Sequence, residues 1–305
     1  MKLSKLYNGF IKKLKFLPQE IYIPAYYKYY TNKDLNLKNP QEFNEKIQWL
    51  KTYFHPPILN QLVDKYEVRA YVKKTIGEEY LNDLIGLYNK PSDINFDKLP
   101  NQFVIKGVHG CGFNIIAPDK SKLNKTKAKL LLNKWYRKNQ YYRGGLEWAY
   151  KDVKPRFIVE KFLSELTNES LRDYKFFCFN GKAKFVEVHI DRQENHQSSF
   201  FDMDFNKLPF RDVPLEKTIQ KPINPPRNFK LMQQLAEKLA ANFPFVRVDL
   251  YSIKNTIIFG ELTFYPADGR SEFIPNEYNK IIGEYITLPN IPQGASVINH
   301  FDLEI

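Results

Sequence analysis

The chain has 305 residues, 43% of them hydrophobic and 26% charged, which excludes global disorder and allows one large domain or two to three lobes with a real core. Its formal net charge of +12 suits a polyanionic partner, whether nucleic acid, anionic lipid or a polyanionic substrate. Cys111 and Cys178 are the two cysteines; without a secretion signal they point to a reducing cytoplasm, and five histidines lacking ligand spacing argue against structural zinc.

In chain order, residues 1–30 hold six lysines against the single acid Glu20. Leu3, Leu6, Tyr7, Phe10, Leu14 and Leu17 recur between those lysines at helical spacing, the pattern of a basic amphipathic helix over residues 1–17. Such a helix either lies in an anionic membrane surface or packs on the body, and the pattern fits both. Lysine breaks it too often for it to span a bilayer, and no small-residue cleavage site follows, so it does not read as a signal peptide.

Residues 40–90 read as helices, one opening after Pro40 and one over residues 60–77 closing at Gly77. A turn-rich stretch then leads into "FVIKGVHGCGFNII" (103–116), where two apolar strands flank Lys106 and a loop with Gly107, Gly110 and Gly112. This stretch fits a tight hairpin, and it equally fits a loop whose backbone approaches a polyphosphate beside a lysine. A lysine-rich helix follows over about 122–139, then a short apolar strand in "RFIVEKFL" (156–163).

"DYKFFCFNGKAKFVEVHI" (173–190) predicts a hairpin, because Asn180-Gly181 favours a type I′ turn between two alternating runs. A helix over about 228–242 carries Leu231, Leu235 and Leu239 along one face, and a second hairpin spans 245–264. Interleaved strands and helices give an α/β or α+β class.

In the last hairpin, alternation puts Arg247, Asp249 and Tyr251 on one face of the first strand, and Glu261 and Thr263 on one face of the second. A reversal centred near Asn255 sets Asp249 opposite Glu261. Two carboxylates across a ladder, roughly 5 Å apart at Cβ, repel. A divalent cation between them removes that penalty, and hard oxygen ligands favour Mg²⁺. With the lysine–glycine loop upstream, the two halves describe a Mg²⁺–nucleotide site.

These motifs, in this order, resemble the ATP-grasp superfamily, and more narrowly its TupA-like branch associated with teichuronopeptide and capsular polysaccharide synthesis. "DKYEVR" (64–69) is similar to a segment whose last cation binds phosphate, here Arg69. The resemblance implies that Lys106, Gly107, His109, Gly110 and Gly112 fold over the triphosphate, and that Glu160 with backbone groups near Lys161 and Leu163 meets the adenine. It further implies that Asp249 and Glu261 hold one or two Mg²⁺, that Arg247 neutralises the reacting phosphoryl group, and that Lys175 points toward phosphate or substrate. Thr263 stands where the family usually has asparagine. "DYKFFCFNGK" and "FGELTFYPADG" favour the polysaccharide branch, with Arg192, His196, Asp268 and Arg270 as candidates for binding an acidic sugar or acyl group.

The implied fold is two lobes with antiparallel sheets gripping ATP, at residues 61–158 and 159–290, after a basic, mainly helical region (1–60) and before a tail (291–305). Many ATP-grasp ligases carry a Rossmann-like domain ahead of the Asp64-Lys65 segment; here 63 residues precede it and read as helices, so the substrate wall is built differently or supplied by a partner. The implied reaction is ATP-dependent carboxylate–amine ligation through an acyl phosphate, on an acidic sugar of a cell-surface glycan precursor, at the cytoplasmic face of the membrane. Alternatives are a phosphotransferase on a sugar hydroxyl, a glycosyltransferase, and a basic membrane- or nucleic-acid-binding module. The joint presence of Lys106, Glu160, Asp249 and Glu261 speaks against the last.

Overall fold

The computed structural model describes residue 11 and residues 13–163, 172–190 and 195–303. Most of the helix expected over residues 1–17 therefore lies outside the described residues. Among the described residues, no helix is long and apolar enough to cross a membrane.

Helix α1 (Gln19–Thr31) buries Tyr22, Ile23, Tyr26 and Tyr27 and ends at Asn32, whose left-handed backbone (φ 58°) closes it. Helix α2 (Phe43–Tyr53) opens with a capping box in which the Glu45 carboxylate accepts the Glu42 N–H. The continuous helix expected over 60–77 is instead two, α3 (Ile58–Val63) and α4 (Val68–Thr75). Asp64 separates them: its carboxylate accepts the amides of Tyr66 and Glu67 at 2.8 and 3.2 Å, giving the backbone an alternative to the helix ladder. Nor are residues 40–90 helical throughout, since Leu84–Tyr88 forms strand β1.

With β2 (Phe103–Gly107), β3 (Asn114–Ala117) and β4 (Phe157–Lys161), β1 forms an antiparallel sheet in the order β1-β4-β2-β3. Phe103, Ile105, Phe157 and Val159 face Ala128 and Leu132 of α5 (Lys125–Tyr136), a helix capped by the Asn124 side chain. The other face carries Val104, Lys106, Ile158 and Glu160. The boundary drawn after residue 158 falls inside β4, whose residues all pair in this sheet. The short helix α6 (Gln140–Arg143) follows α5.

The second sheet is also antiparallel and runs β7 (Gln197–Phe201), β6 (Lys182–Ile190), β5 (Asp173–Phe179), β8 (Phe245–Ile253), β9 (Thr256–Thr263). Asn180 and Gly181 both have positive φ (47° and 79°), as the type I′ turn requires. One face buries Phe176, Cys178, Val246 and Val248 against α7 (Phe229–Ala240), which presents Met232, Leu235, Ala236 and Leu239. Leu231, expected on that stripe, is 42% exposed, because the stripe follows steps of three and four from Met232.

The opposite face is divided. At one end Phe177, Phe179, Phe185, Phe200 and Phe245 pack with Phe43 of α2 and Phe273, which precedes α8 (Glu277–Glu284). The other end is ionic.

Candidate active site

Register lines up Glu261, Asp249, Lys175 and Glu187 across β9, β8, β5 and β6. Thr263 and Arg247 pair on the next rung of their face, and Tyr251, Asp173 and His189 align on the other side. The meeting of Asp249 with Glu261 depends on a bulge. From the Lys254-Asn255 turn the pairing runs from Ile253–Thr256 to Leu250–Phe259; then Gly260 is skipped, and Asp249 meets Glu261. A Cβ at Gly260 would lie 2.9 Å from the Asp249 carbonyl oxygen, so the close backbone approach suits glycine.

Protein cations already compensate part of the repulsion. Arg247 grips Asp249 through Nε at 2.7 Å and Nη2 at 2.8 Å, a two-bond fork. Lys175 bonds the same carboxylate and reaches Asp173 at 2.8 Å. Burial draws the Lys175 ammonium toward neutrality, but Asp249, with Asp173 and Glu261, outweighs burial and Arg247, so its pKa lies above that of an ordinary lysine. Arg247 also donates to Thr263 Oγ1 at 3.2 Å and lies 3.6 Å from Glu261. Glu261 is 39% exposed, whereas Asp249 is buried.

On the four-stranded sheet, Lys106 Nζ lies 2.6 Å from one oxygen of buried Glu160, and Arg69 lies 3.4 Å from the other while donating to the Asn82 carbonyl at 3.0 Å. The two sheets meet through Lys65, which donates to the Gly110 carbonyl at 3.0 Å and sits 3.7 Å from Glu261. Lys65 thus joins the glycine loop to the carboxylate pair, while Lys106 and Arg69 share Glu160 on the four-stranded sheet. A cleft of about 620 Å³ between α4 and β1 touches this region through Arg69.

Within the glycine loop, Gly107, His109 and Gly110 are buried, while Cys111 and Gly112 are exposed. A Cβ at Gly107 or Gly110 would lie 2.9 or 2.6 Å from Phe113, and Gly112 has φ 72°. His109 departs from its expected place at the phosphates: it is 1% exposed and its Nε2 lies 2.9 Å from the Trp135 carbonyl oxygen. Burial lowers its pKa, and the ring props the loop from beneath. Lys161 is also committed within the protein. Its N–H donates to the Asp83 carbonyl, its carbonyl accepts from Asn82, and its ammonium lies 3.2 Å from the Asp83 carboxylate. The residues that follow β4, Leu163 included, are half-buried.

The candidates for acid recognition are dispersed. Asp268 is buried, 2.7 Å from the fully buried Lys51 ammonium, with Arg270 Nε 3.2 Å from its second oxygen. Arg270 lies over the rings of Tyr26 and Tyr30. These contacts tie the segment after β9 to α1 and α2. His196 is exposed and bonds His189; Arg192 lies outside the described residues. Sequence reasoning missed Lys65 as a bridge, and it did not place Glu187, His189 or Asp212 beside the ionic row.

The profile of the family described as TupA-like ATPgrasp matches residues 45–287. The chain belongs to the TupA-like ATP-grasp family. Its paired antiparallel sheets and packed helices are the ATP-grasp architecture. No curated protein matches the chain. Among solved structures, D-alanine–D-alanine ligase from Bacillus anthracis is 17% identical, with 75% of this chain and 68% of that one covered and a TM-score of 0.44. The same ligase from Helicobacter pylori is 14% identical (83% and 68% covered, TM-score 0.42). L-amino acid ligase from Bacillus licheniformis is 11% identical (66% and 42% covered, TM-score 0.40).

An ATP-grasp site implies a divalent cation. Among the described residues, no three His, Cys, Asp or Glu side chains are grouped to enclose a metal. The chain instead offers a partial set of hard oxygens: Asp249, the half-exposed Glu261, and Thr263 Oγ1, which lies 3.4 Å from Glu261. That set fits Mg²⁺, which is commonly held by one or two carboxylates and completed by water and phosphate oxygens.

Proposed function

We propose that the chain is an ATP-dependent carboxylate–amine ligase, forming an acyl phosphate on an acidic sugar of a cell-surface glycan precursor and passing the acyl group to an amine. The observation that carries this reading is a pair of charged sets on two sheets that Lys65 links through Gly110 and Glu261. Lys106 and Arg69 bracket Glu160 on one sheet, and Arg247 and Lys175 bracket Asp249 beside Glu261 on the other. Mg²⁺ held by Asp249 and Glu261 would neutralise charge on the phosphates.

The chain's own groups supply the rest. Lys106 and Arg69 bind phosphate oxygens, with Lys106 leaving Glu160 to do so. Arg247 is held in line by Asp249 and presents its guanidinium to the transferred phosphoryl group, stabilising charge that develops there. The exposed Cys111-Gly112 rim covers the phosphates and keeps water from the acyl phosphate. The glycan assignment draws support from the +12 net charge and from the family's link to polysaccharide synthesis. The basic segment 1–17 would set the enzyme against an anionic membrane face.

The test is release of ADP and phosphate from Mg-ATP across a matrix of uronic acids and amino acids. Release that requires both partners, with an amide product free of phosphate, supports ligation. A phosphorylated sugar formed without any amine overturns it in favour of a phosphotransferase.

A further inference from the structure

The back of the four-stranded sheet carries charge that the nucleotide half does not use. Residues 120–146 hold nine lysines and arginines and no acid. Carboxylates from outside the run meet two of them: Asp97 lies 2.6 Å from Lys125, and Asp119 lies 4.0 Å from Lys122. On α5 and its C-terminal cap, Lys127, Leu130, Lys134 and Arg137 recur at steps of three, four and three, which sets them in one stripe opposite the buried Ala128 and Leu132. All four are exposed, and among the described residues none of the three cations is paired with a carboxylate. At 1.5 Å of rise per residue the stripe is about 15 Å long.

The stripe ends at the candidate site. Trp135, in the last turn of α5, stacks on Phe113 with ring centroids 5.3 Å apart, and the Arg143 guanidinium lies 5.1 Å from the centre of the same ring. Arg143 Nη1 also donates to the Cys111 carbonyl at 3.0 Å and to Gln140 Oε1 at 3.2 Å. The end of α5 is thereby brought against the rim of the glycine loop, and Lys138, Tyr142 and Arg143 are exposed along the way. At the opposite end, a cleft of about 350 Å³ between β3 and α5 is lined by Asn114, Ile116, Asn124 and Lys127.

Chemistry narrows the partner. Successive cations of the stripe stand about 10 Å and about 5 Å apart along the helix axis, close to the Debye length of about 8 Å in physiological salt. Their fields merge into a line, which favours a chain of anions over a single one. Leu130 is 67% exposed and Tyr142 54%, apolar surface that suits the C–H faces of sugar rings, and the aromatic face is negative where those hydrogens would lie. The amides of Asn114 and Asn124 suit hydroxyl groups. A lipid surface would meet the convex helix alone and gives no reason for the run to continue to the glycine loop. A nucleic acid would bring no carboxylate to the site. We propose that Lys127, Lys134 and Arg137, continuing through Tyr142 to Arg143, form a track that docks an acidic polysaccharide and leads it to the mouth of the site. This rests on the ligase reading and deepens it: the acid acted on is a unit of a polymer.

The test measures binding of a fluorescently labelled oligogalacturonate, long enough to span the stripe, to the full chain across a salt series, with free galacturonic acid as competitor. The expected result is that the oligomer binds and the monomer fails to displace it. Lys127→Gln combined with Lys134→Gln and Arg137→Gln should weaken oligomer binding at least tenfold and reduce the salt slope by about two, as loss of three contacts to a flexible polyanion requires. Lys73→Gln combined with Lys74→Gln and Lys182→Gln removes the same charge from exposed positions on α4 and β6 and should weaken binding less than twofold. Equal loss in the two triple variants overturns the track, because net charge alone then explains binding. A wild type that does not bind the oligomer overturns it as well. A stripe variant that keeps the oligomer but loses phosphatidylserine vesicles or a DNA duplex assigns the face to that other polyanion, and the proposal falls. Mg-ATP titrated into the same preparations separates the two readings: a chain that holds the oligomer through the stripe but ignores Mg-ATP upholds the track and overturns the ligase assignment.

Discussion

One face of the five-stranded sheet holds two regions built on the same strands. At one end Phe177, Phe185, Phe200 and Phe245 interlock, and the chain gains burial and aromatic packing. A few residues along, Lys175, Glu187, Arg247 and Asp249 occupy equivalent positions on the same strands. Burying those charges stabilises the fold less than packed hydrocarbon would, since desolvation offsets most of the Coulomb gain. The aromatic end thus anchors the sheet, and on the ligase reading the ionic end serves binding rather than stability.

Mutations should separate the two ends. The largest effect on folding belongs to the aromatic end: Phe185→Ala should lower unfolding free energy by about 3–5 kcal/mol in denaturant titration. At the ionic end, Asp249→Ala leaves Arg247 and Lys175 buried without their shared partner and should cost about 3 kcal/mol or somewhat more. Its neighbour Glu261, 39% exposed, should behave differently, with Glu261→Gln within about 0.5 kcal/mol of wild type. Equal destabilisation by the two carboxylate changes would erase the distinction between a buried clamp and an open ligand.

Gly260→Ala probes the bulge between them. Overpacking against the Asp249 carbonyl should cost about 1–3 kcal/mol and weaken Mg-ATP binding more than Phe185→Ala does. The reverse order would show that the bulge serves the fold alone.

A pH-graded effect comes from the buried cluster behind the site. Burial and the charge of Asp268, against Lys51, push the Glu147 carboxyl up to about 8 from an ordinary 4.5. The folded state therefore keeps a proton that the unfolded state releases. Its contribution to stability is complete below about pH 4.5 and is lost as pH rises through 8. The melting temperature should fall across that window in the wild type and run flatter in Glu147→Gln. Glu187 does not interfere, because a carboxyl held at about 2 contributes above 4.5 and loses its contribution only as pH falls through 2.

Two bulges decide how much of this was legible in the sequence. Turn chemistry announced both hairpins. In the second, a reversal placed at Asn255 rather than between Lys254 and Asn255 happened to offset the Gly260 bulge, so Asp249 and Glu261 were paired correctly for an incomplete reason. In the first, continuing the register outward from Asn180-Gly181 sets Lys175 opposite Val186 and turns Glu187 away. The bulge at Lys184 reverses that, and nothing in the local sequence signals it. Hence the far end of the ionic row went unseen. The buried setting of Asp268 was hidden for another reason: a loop position suggests solvent, and only tertiary packing brings the buried Lys51 to meet it. The break at Asp64 was likewise hidden, because helical periodicity continues through a residue whose carboxylate caps the next turn.

The central claim is that the carboxylates on β8 and β9 hold a metal–nucleotide complex. Calorimetric titration of Mg-ATP into the wild type and into Asp249→Asn combined with Glu261→Gln tests it most directly, with circular dichroism to establish that both are folded. The account predicts magnesium-dependent binding in the wild type and at least a hundredfold loss in the double variant. A folded wild type that ignores Mg-ATP, or a double variant that binds it equally well, would contradict it.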